Sequence, residues 1–154
     1  MILAIDPGPE QSAFVILRDD GTPENADILP NDVLLHRITR INADHLAIEM
    51  VASYGMAVGR EVFETCVWIG RFIQAWEKDY TQVYRKDVKL HLCQNMRARD
   101  ANIRQALIDK FGGKDKAIGK KANPGPLYQF RADMWAALAV AIVWAENNIV
   151  REAM

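Results

Sequence analysis

Apolar residues fall into short continuous runs near the start of the chain and into three- and four-residue spacings later on. Ile2-Leu3-Ala4-Ile5 is an apolar run halted by the turn residues Asp6-Pro7-Gly8-Pro9, so it predicts a short buried strand. Ser12–Arg18 predicts a second strand, and Asp19-Asp20-Gly21-Thr22 a hairpin turn after it. A weaker third strand is expected near Ala26–Leu29. Pro30-Asn31-Asp32 then offers an N-cap to a short helix carrying Val33, Leu34, Ile38 and Ile41 on one face. His45–Met50 predicts a further strand that contains Glu49. Val62, Cys66, Ile69, Ile73 and Trp76 recur at helical spacing and predict a long amphipathic helix over Met56–Lys78. A fifth strand is expected at Gln82–Arg85, a short helix at Asp87–Cys93, and a helix at Ala101–Phe111 capped by Asp100 and ended by Gly112-Gly113. Gly113–Gly125 predicts a loop, and alanine-dominated Ala132–Asn147 a last, closely packing helix. Strands joined first by hairpins and later by helices imply an α/β fold with a mixed sheet covered by helices.

The length of 154 residues suits one compact domain, 1–154, without internal repeats or linkers. Half the residues are apolar and a quarter charged, as in ordinary globular proteins. Cys66 and Cys93 lie in helical patterns and are expected to be small buried hydrophobes of a reduced, cytosolic protein. The longest apolar run, Ala136–Ala145, is about half the ~20 residues a membrane span requires. A soluble, intracellular protein is expected.

The net charge of -1 conceals a segregation. Between Arg85 and Lys121 there are eleven Lys/Arg and four Asp/Glu, a local charge of +7, which leaves eight basic and sixteen acidic residues, or -8, elsewhere. Such a segment suits a phosphate backbone, and equally a solvated helix face plus a loop.

Three acids stand among apolar neighbours: Asp6 ends the first strand, Glu49 lies late in the fourth, and Asp133 opens the last helix. Converging carboxylates repel unless a cation sits among them, and an all-oxygen donor set selects Mg²⁺ or Mn²⁺. His36, His45 and His91 are scattered, so no zinc spacing competes. A phosphate-cradling Gly-Lys-Ser/Thr loop and a Gly-x-Ser-x-Gly elbow are both absent. Taken singly, Asp6 could cap a turn and Asp133 could serve a helix first turn.

In combination the motifs resemble the RuvC-type Holliday-junction resolvases of the RNase H-like superfamily. Leu3-Ala4-Ile5-Asp6-Pro7-Gly8 is similar to their opening motif and Leu46-Ala47-Ile48-Glu49 to their second. Arg131-Ala132-Asp133 with Ala137-Leu138-Ala139-Val140-Ala141 is similar to the helix that delivers their last acids. Val83-Tyr84-Arg85, through Val88-Lys89, to Arg97-Ala98-Arg99-Asp100 resembles their basic segment. Ser53–Gly59 and Pro124-Gly125-Pro126-Leu127-Tyr128 are similar to phage- or prophage-encoded members.

The resemblance implies an RNase H-like mixed five-stranded sheet with helices on both faces. It implies metal-assisted phosphodiester hydrolysis of four-way or other branched DNA, leaving a 5′-phosphate and a 3′-hydroxyl. Asp6, Glu49 and Asp133 would be the catalytic, metal-holding acids around two Mg²⁺ or Mn²⁺ ions roughly 4 Å apart. Arg85, Lys86, Lys89, Arg97, Arg99, Lys120 and Lys121 would hold DNA arms through phosphates, and Tyr54 would meet unstacked bases or else pack at the start of the long helix. A homodimer is implied, in the cytoplasm of a bacterial host if phage-encoded; the helix Met56–Lys78 could supply part of its interface, or its stripe could simply be core. One departure stands out. Members usually carry a second polar metal-site residue one turn after the first on the last helix, and here that position is Ala136. An RNase H-like nuclease acting on RNA and a non-catalytic nucleic-acid-binding module remain alternatives.

Overall fold

The computed structural model describes the backbone of residues 1–153 and the side chains of residues 1–148. Strands β1 (Ile2–Asp6), β2 (Gln11–Leu17) and β3 (Pro23–Pro30) form an antiparallel meander. Helix α1 (Asn31–Ile38) leads to β4 (His45–Met50), and α2 (Arg60–Trp76) leads to β5 (Tyr80–Tyr84). Both β4 and β5 run parallel to β1, as the helical crossovers require, and the strand order is β3-β2-β1-β4-β5. Then come α3 (Arg85–Cys93), α4 (Asp100–Lys110), the single turn α5 (Lys114–Ala117), a small hairpin of β6 (Gly119–Lys120) and β7 (Asn123–Pro124), and α6 (Met134–Ala153).

The strands alternate between two buried cores. Ile2 and Ala4 of β1 and Ala47 of β4 face the core formed with α3, α4 and α6, while Leu3, Ile5, Leu46 and Ile48 face the one formed with α1 and α2. Helices therefore cover both faces, as expected. Ala4, Ala13 and Ala47 meet Ala137, Ala139 and Ala141 of α6 in the first core, so small side chains on both partners let this helix lie close to the sheet.

Several expected boundaries move. The long helix begins at Arg60 rather than Met56, because Gly59 is extended (φ -98°, ψ -175°) and holds the N-cap position. It ends at Trp76, where Glu77 turns left-handed at φ 59°. Its buried residues are Thr65, Ile69, Phe72 and Trp76, whereas Val62, Cys66 and Ile73 are only half-buried. Strand β3 is longer than expected, and α3 starts at Arg85. The 113–125 segment is ordered as α5 and the small hairpin; there Gly119 (φ 68°) admits no Cβ, which would come within 2.4 Å of the Asn123 carbonyl oxygen. Asp100 does not cap α4. It is the first helical residue, and Arg99 holds the cap position. Cys66 and Cys93 are half-buried free thiols.

Candidate metal centre

Alternation along β1 and β4 places the two strand acids. Counting from Ala4 and Ala47, which face α6, every second residue returns to that side, so Asp6 and Glu49 both do. The parallel register pairs Ile5 with Ile48, which brings these acids side by side. Asp133 arrives from the third direction. It immediately precedes α6, and its carbonyl accepts the Ala137 N–H at 3.0 Å, so it is the N-cap rather than a residue of the first turn.

These three acids line one cleft of about 310 Å³ together with Arg85, Asp100, Ile103, Ala132, Trp135 and Ala136. Ala132 takes φ 45°, a left-handed kink that directs the chain into α6. Wider hollows lie elsewhere: those of about 500 and 590 Å³ are lined by one carboxylate each, Asp87 and Glu24, and one of about 440 Å³ is lined by Asp19, Asp20, Asp44 and Glu146, of which Asp19 and Asp44 pair with the N-terminal amine and Glu146 with His91 and Lys110.

Burial pushes the Asp6 carboxyl up to about 9, and the neighbouring Glu49 carboxyl and the Asp133 charge push the same way. Arg85 opposes the shift only weakly. A carboxyl so reluctant to ionise beside two others is what a bound cation would relieve.

The turn after Asp6 is pinned by buried polar groups. The Gly8 N–H donates to Ser12 Oγ (3.1 Å), Ser12 Oγ donates to Asn31 Oδ1 (2.6 Å), and Asn31 Nδ2 donates to the Gly8 carbonyl (2.8 Å). Ser12 and Asn31 are each 1% exposed. Gly8 is required because a Cβ there would sit 2.4 Å from the Gln11 carbonyl oxygen.

The donor chemistry fits a hard divalent ion. Asp6 and Glu49 could hold it directly, with Asp133 lining the same cleft. Among the described residues no three His, Cys, Asp or Glu side chains are close enough together to hold a metal ion among them. Mg²⁺ tolerates this, since it is usually held by one or two carboxylates and keeps several waters. Ala136 lines the same cleft one turn beyond Asp133, so the polar group absent there is absent from the site itself.

The basic residues divide into two sets. Arg85 stands inside the cleft, with Nη1 4.0 Å from Glu49 Oε1 and Nη2 bonded to Asp100 Oδ1. Arg97 and Arg99 are exposed just before Asp100, at the cleft rim, and Lys86 is exposed while Lys89 is half-buried on α3. Lys120 and Lys121 are exposed on the β6–β7 hairpin, on the β3 side, where Lys121 shares a hollow with Tyr128 and Met134. Tyr54 is 61% exposed in the turn between β4 and α2, so it does not pack against that helix. His91 pairs with Glu146, which also binds Lys110, and His45 stacks on Trp144 at 4.4 Å.

Sequence reading missed Asp100 as a cleft residue and the Ser12–Asn31 brace. For Asp100 the only signal was an acid within a basic run, which a helix cap explains equally well. Arg85 was legible as basic but not as a neighbour of Glu49, which needs the β4–β5 pairing.

Compared by sequence, the chain matches no protein-family model and no curated protein. Compared by structure, it resembles Thermus thermophilus RuvC at a TM-score of 0.67 and 13% identity, over 92% of this chain and 91% of that one. It resembles T. thermophilus RuvC in complex with Holliday junction substrate at a TM-score of 0.68 and 13% identity, over 92% and 90%. The fold is thus the RuvC-like, RNase H-like one. Among the described residues no helix is long and apolar enough to cross a membrane.

Proposed function

We propose that the protein is a divalent-cation-dependent endonuclease that cuts branched DNA, foremost four-way junctions, as a homodimer. The observation that carries this reading is the desolvated Asp6 beside Glu49 and Asp133 in one cleft, supplied by β1, β4 and the start of α6. The RuvC-like fold adds to it, since one of the similar structures holds a Holliday junction substrate.

Asp6 and Glu49 would hold the ion and Asp133 would complete its surroundings. Mg²⁺ or Mn²⁺ bound there would supply Lewis-acid charge to the phosphodiester and make an attacking water easier to deprotonate. The chain's own part is to orient and to balance charge. The Ser12–Asn31–Gly8 brace fixes the turn next to Asp6, and the proton that Asp6 retains in the ion-free state departs as a cation takes its place. Arg97 and Arg99 before α4 and Lys120 and Lys121 on the β6–β7 hairpin suit two DNA arms, through contacts that position phosphates without reading bases. Tyr54 offers an exposed ring for an unpaired base.

The test is incubation of purified protein with four-way, flap, Y-shaped and linear DNA and with structured RNA, with and without Mg²⁺ or Mn²⁺. Ion-dependent cleavage strongest on the four-way junction is the expected result. Preferential cleavage of RNA, or binding without any cleavage, would replace this reading with an RNA nuclease or a binding module.

A further inference from the structure

Arg85 stands among the acids rather than on the outer surface. Strands β4 and β5 are parallel and end together, Met50 opposite Tyr84, so the next residue, Arg85, is carried to the same rim as Glu49. Its guanidinium is divided between two carboxylates. At 4.0 Å the Glu49 contact is electrostatic and too long for a hydrogen bond, whereas Asp100 is directly bonded. The two acids differ in depth, the Glu49 side chain being 12% exposed and that of Asp100 89%. Arg85 is also the first residue of α3, where the helix dipole disfavours a cation, so its place depends on these acids.

We propose that Arg85 is the resident counter-cation of the ion-free cleft, and that Asp100 is the positioning residue that draws it off Glu49 when a divalent ion binds. The inference rests on the ion-binding reading above. A guanidinium cannot yield by losing its proton, as an ammonium can, so it makes room only by moving. A dication and Arg85 would contend for the same Glu49 oxygen, and their repulsion weakens ion binding. Asp100 lowers that cost because it already holds the other arm of the fork at the exposed end. The arginine can then leave Glu49 without surrendering its partner, and its remaining N–H groups face the cleft, where a DNA phosphate would lie.

The alternatives give different signs. If the Arg85–Asp100 pair only staples α3 to α4, removing either half perturbs the cleft alike. If Asp100 only adds negative field, its loss weakens the ion by the same factor with or without Arg85.

The experiment is calorimetric titration of the full chain with Mn²⁺ alone, for wild type, Arg85→Gln, Asp100→Asn and the double variant. From the removal of one charge near the ion, Arg85→Gln is expected to tighten Mn²⁺ by about threefold to tenfold, and Asp100→Asn to weaken it by about threefold. The double variant is expected to match Arg85→Gln within about twofold, because Asp100 acts through Arg85. Asp100→Glu restores wild-type affinity. Arg85→Met, which preserves the packing of the side-chain stem, repeats the comparison should the glutamine variant misfold. Shifts of the same sign in both single variants, or an equal Asp100→Asn effect in both backgrounds, overturn the proposal. Protein that binds Mn²⁺ as described yet neither binds nor cuts DNA sinks the nuclease reading and leaves this one standing. DNA cleavage with a flat Mn²⁺ series does the reverse.

Discussion

A carboxyl that keeps its proton to about pH 9 makes folding of the ion-free protein take up a proton. Asp6 in the unfolded chain ionises near its ordinary value of 3.8, while in the fold it is pushed up to about 9 by burial and by Glu49. Its contribution is fully present below about 4 and is lost as pH rises towards 9, so ion-free stability falls across that window. Asp6→Asn, neutral at every pH, should flatten this fall and melt higher than wild type at pH 8, by about 2–4 °C for each kcal/mol relieved. Melting curves in EDTA from pH 5 to 9 check it, and parallel curves for the two proteins would mean Asp6 is not held against its charge. The same variant should lose cleavage by at least about a hundredfold while keeping its fold, as expected for loss of an ion-holding group. Asp133 and Ala136 make the complementary case, since both line the cleft one turn apart and only one carries a donor. Asp133→Asn is expected to abolish cleavage at low ion concentration, and Ala136→Asp to lower the half-maximal ion concentration by about tenfold, as an added carboxylate ligand should. Full activity of the asparagine variant across a Mn²⁺ titration would remove Asp133 from the site.

Between residues and fold stand the elements, where the charged segment acquires its geometry. Residues 85–121 bear most of the positive charge, but the structure distributes it: Arg85 enters the acid cleft, Arg97 and Arg99 stand at the rim before α4, and Lys120 and Lys121 lie on the β6–β7 hairpin on the β3 side. Neutralising either exposed pair should weaken binding to branched DNA and lower the slope of log affinity against log salt by about 0.9 for each phosphate no longer neutralised. An unchanged slope in both double variants would make these residues a solvated surface. The strands and the acids they carry were legible because short apolar runs such as 2–5, ended by Asp6-Pro7-Gly8, and 46–48, closed by Glu49, have few other uses. The relation between the acids was not. That Asp6 and Glu49 face the same side follows from the parallel pairing of β1 with β4, between segments some forty residues apart, which no local pattern encodes. Local patterns also misled at α2, where Met56 and Val58 prolong the apolar stripe in sequence although the extended Gly59 keeps the chain out of the helix until Arg60. Asp100 was hidden for a similar reason: its partner Arg85 is fifteen residues away, across the α3–α4 junction.

At the scale of the whole molecule, the proposed junction substrate would need two cuts, against one acid cleft described in each chain. A four-way junction has approximate two-fold symmetry, and a dimer related by a two-fold axis would present two clefts to opposite strands through one self-complementary surface. The outer side of α2 suits that surface. Phe63 is 61% exposed and Val67 62%, one turn apart, and Gly70 follows with open space where a Cβ would be. Large apolar side chains left in water on a helix whose opposite face is already buried in the core are better placed against a second copy. Glu61 and Glu64 near Arg60 and Arg71 provide a charged border of both signs, which suits antiparallel pairing of the helix with itself. Replacing Phe63 and Val67 by Lys should therefore convert a dimer into a monomer at micromolar concentration while shifting folding stability by no more than about 0.5 kcal/mol per site, as surface substitutions usually do. Light scattering after size exclusion measures the mass, and a cruciform plasmid reads the consequence. Wild type should linearise the plasmid by paired incisions within the lifetime of one complex, whereas the Lys variant should only nick it, since its two cuts would come from separate encounters. A wild-type protein that is monomeric and still linearises in one encounter would refute the two-fold arrangement. A Lys variant that stays dimeric would move the interface off α2 without disturbing the chemistry of the cleft.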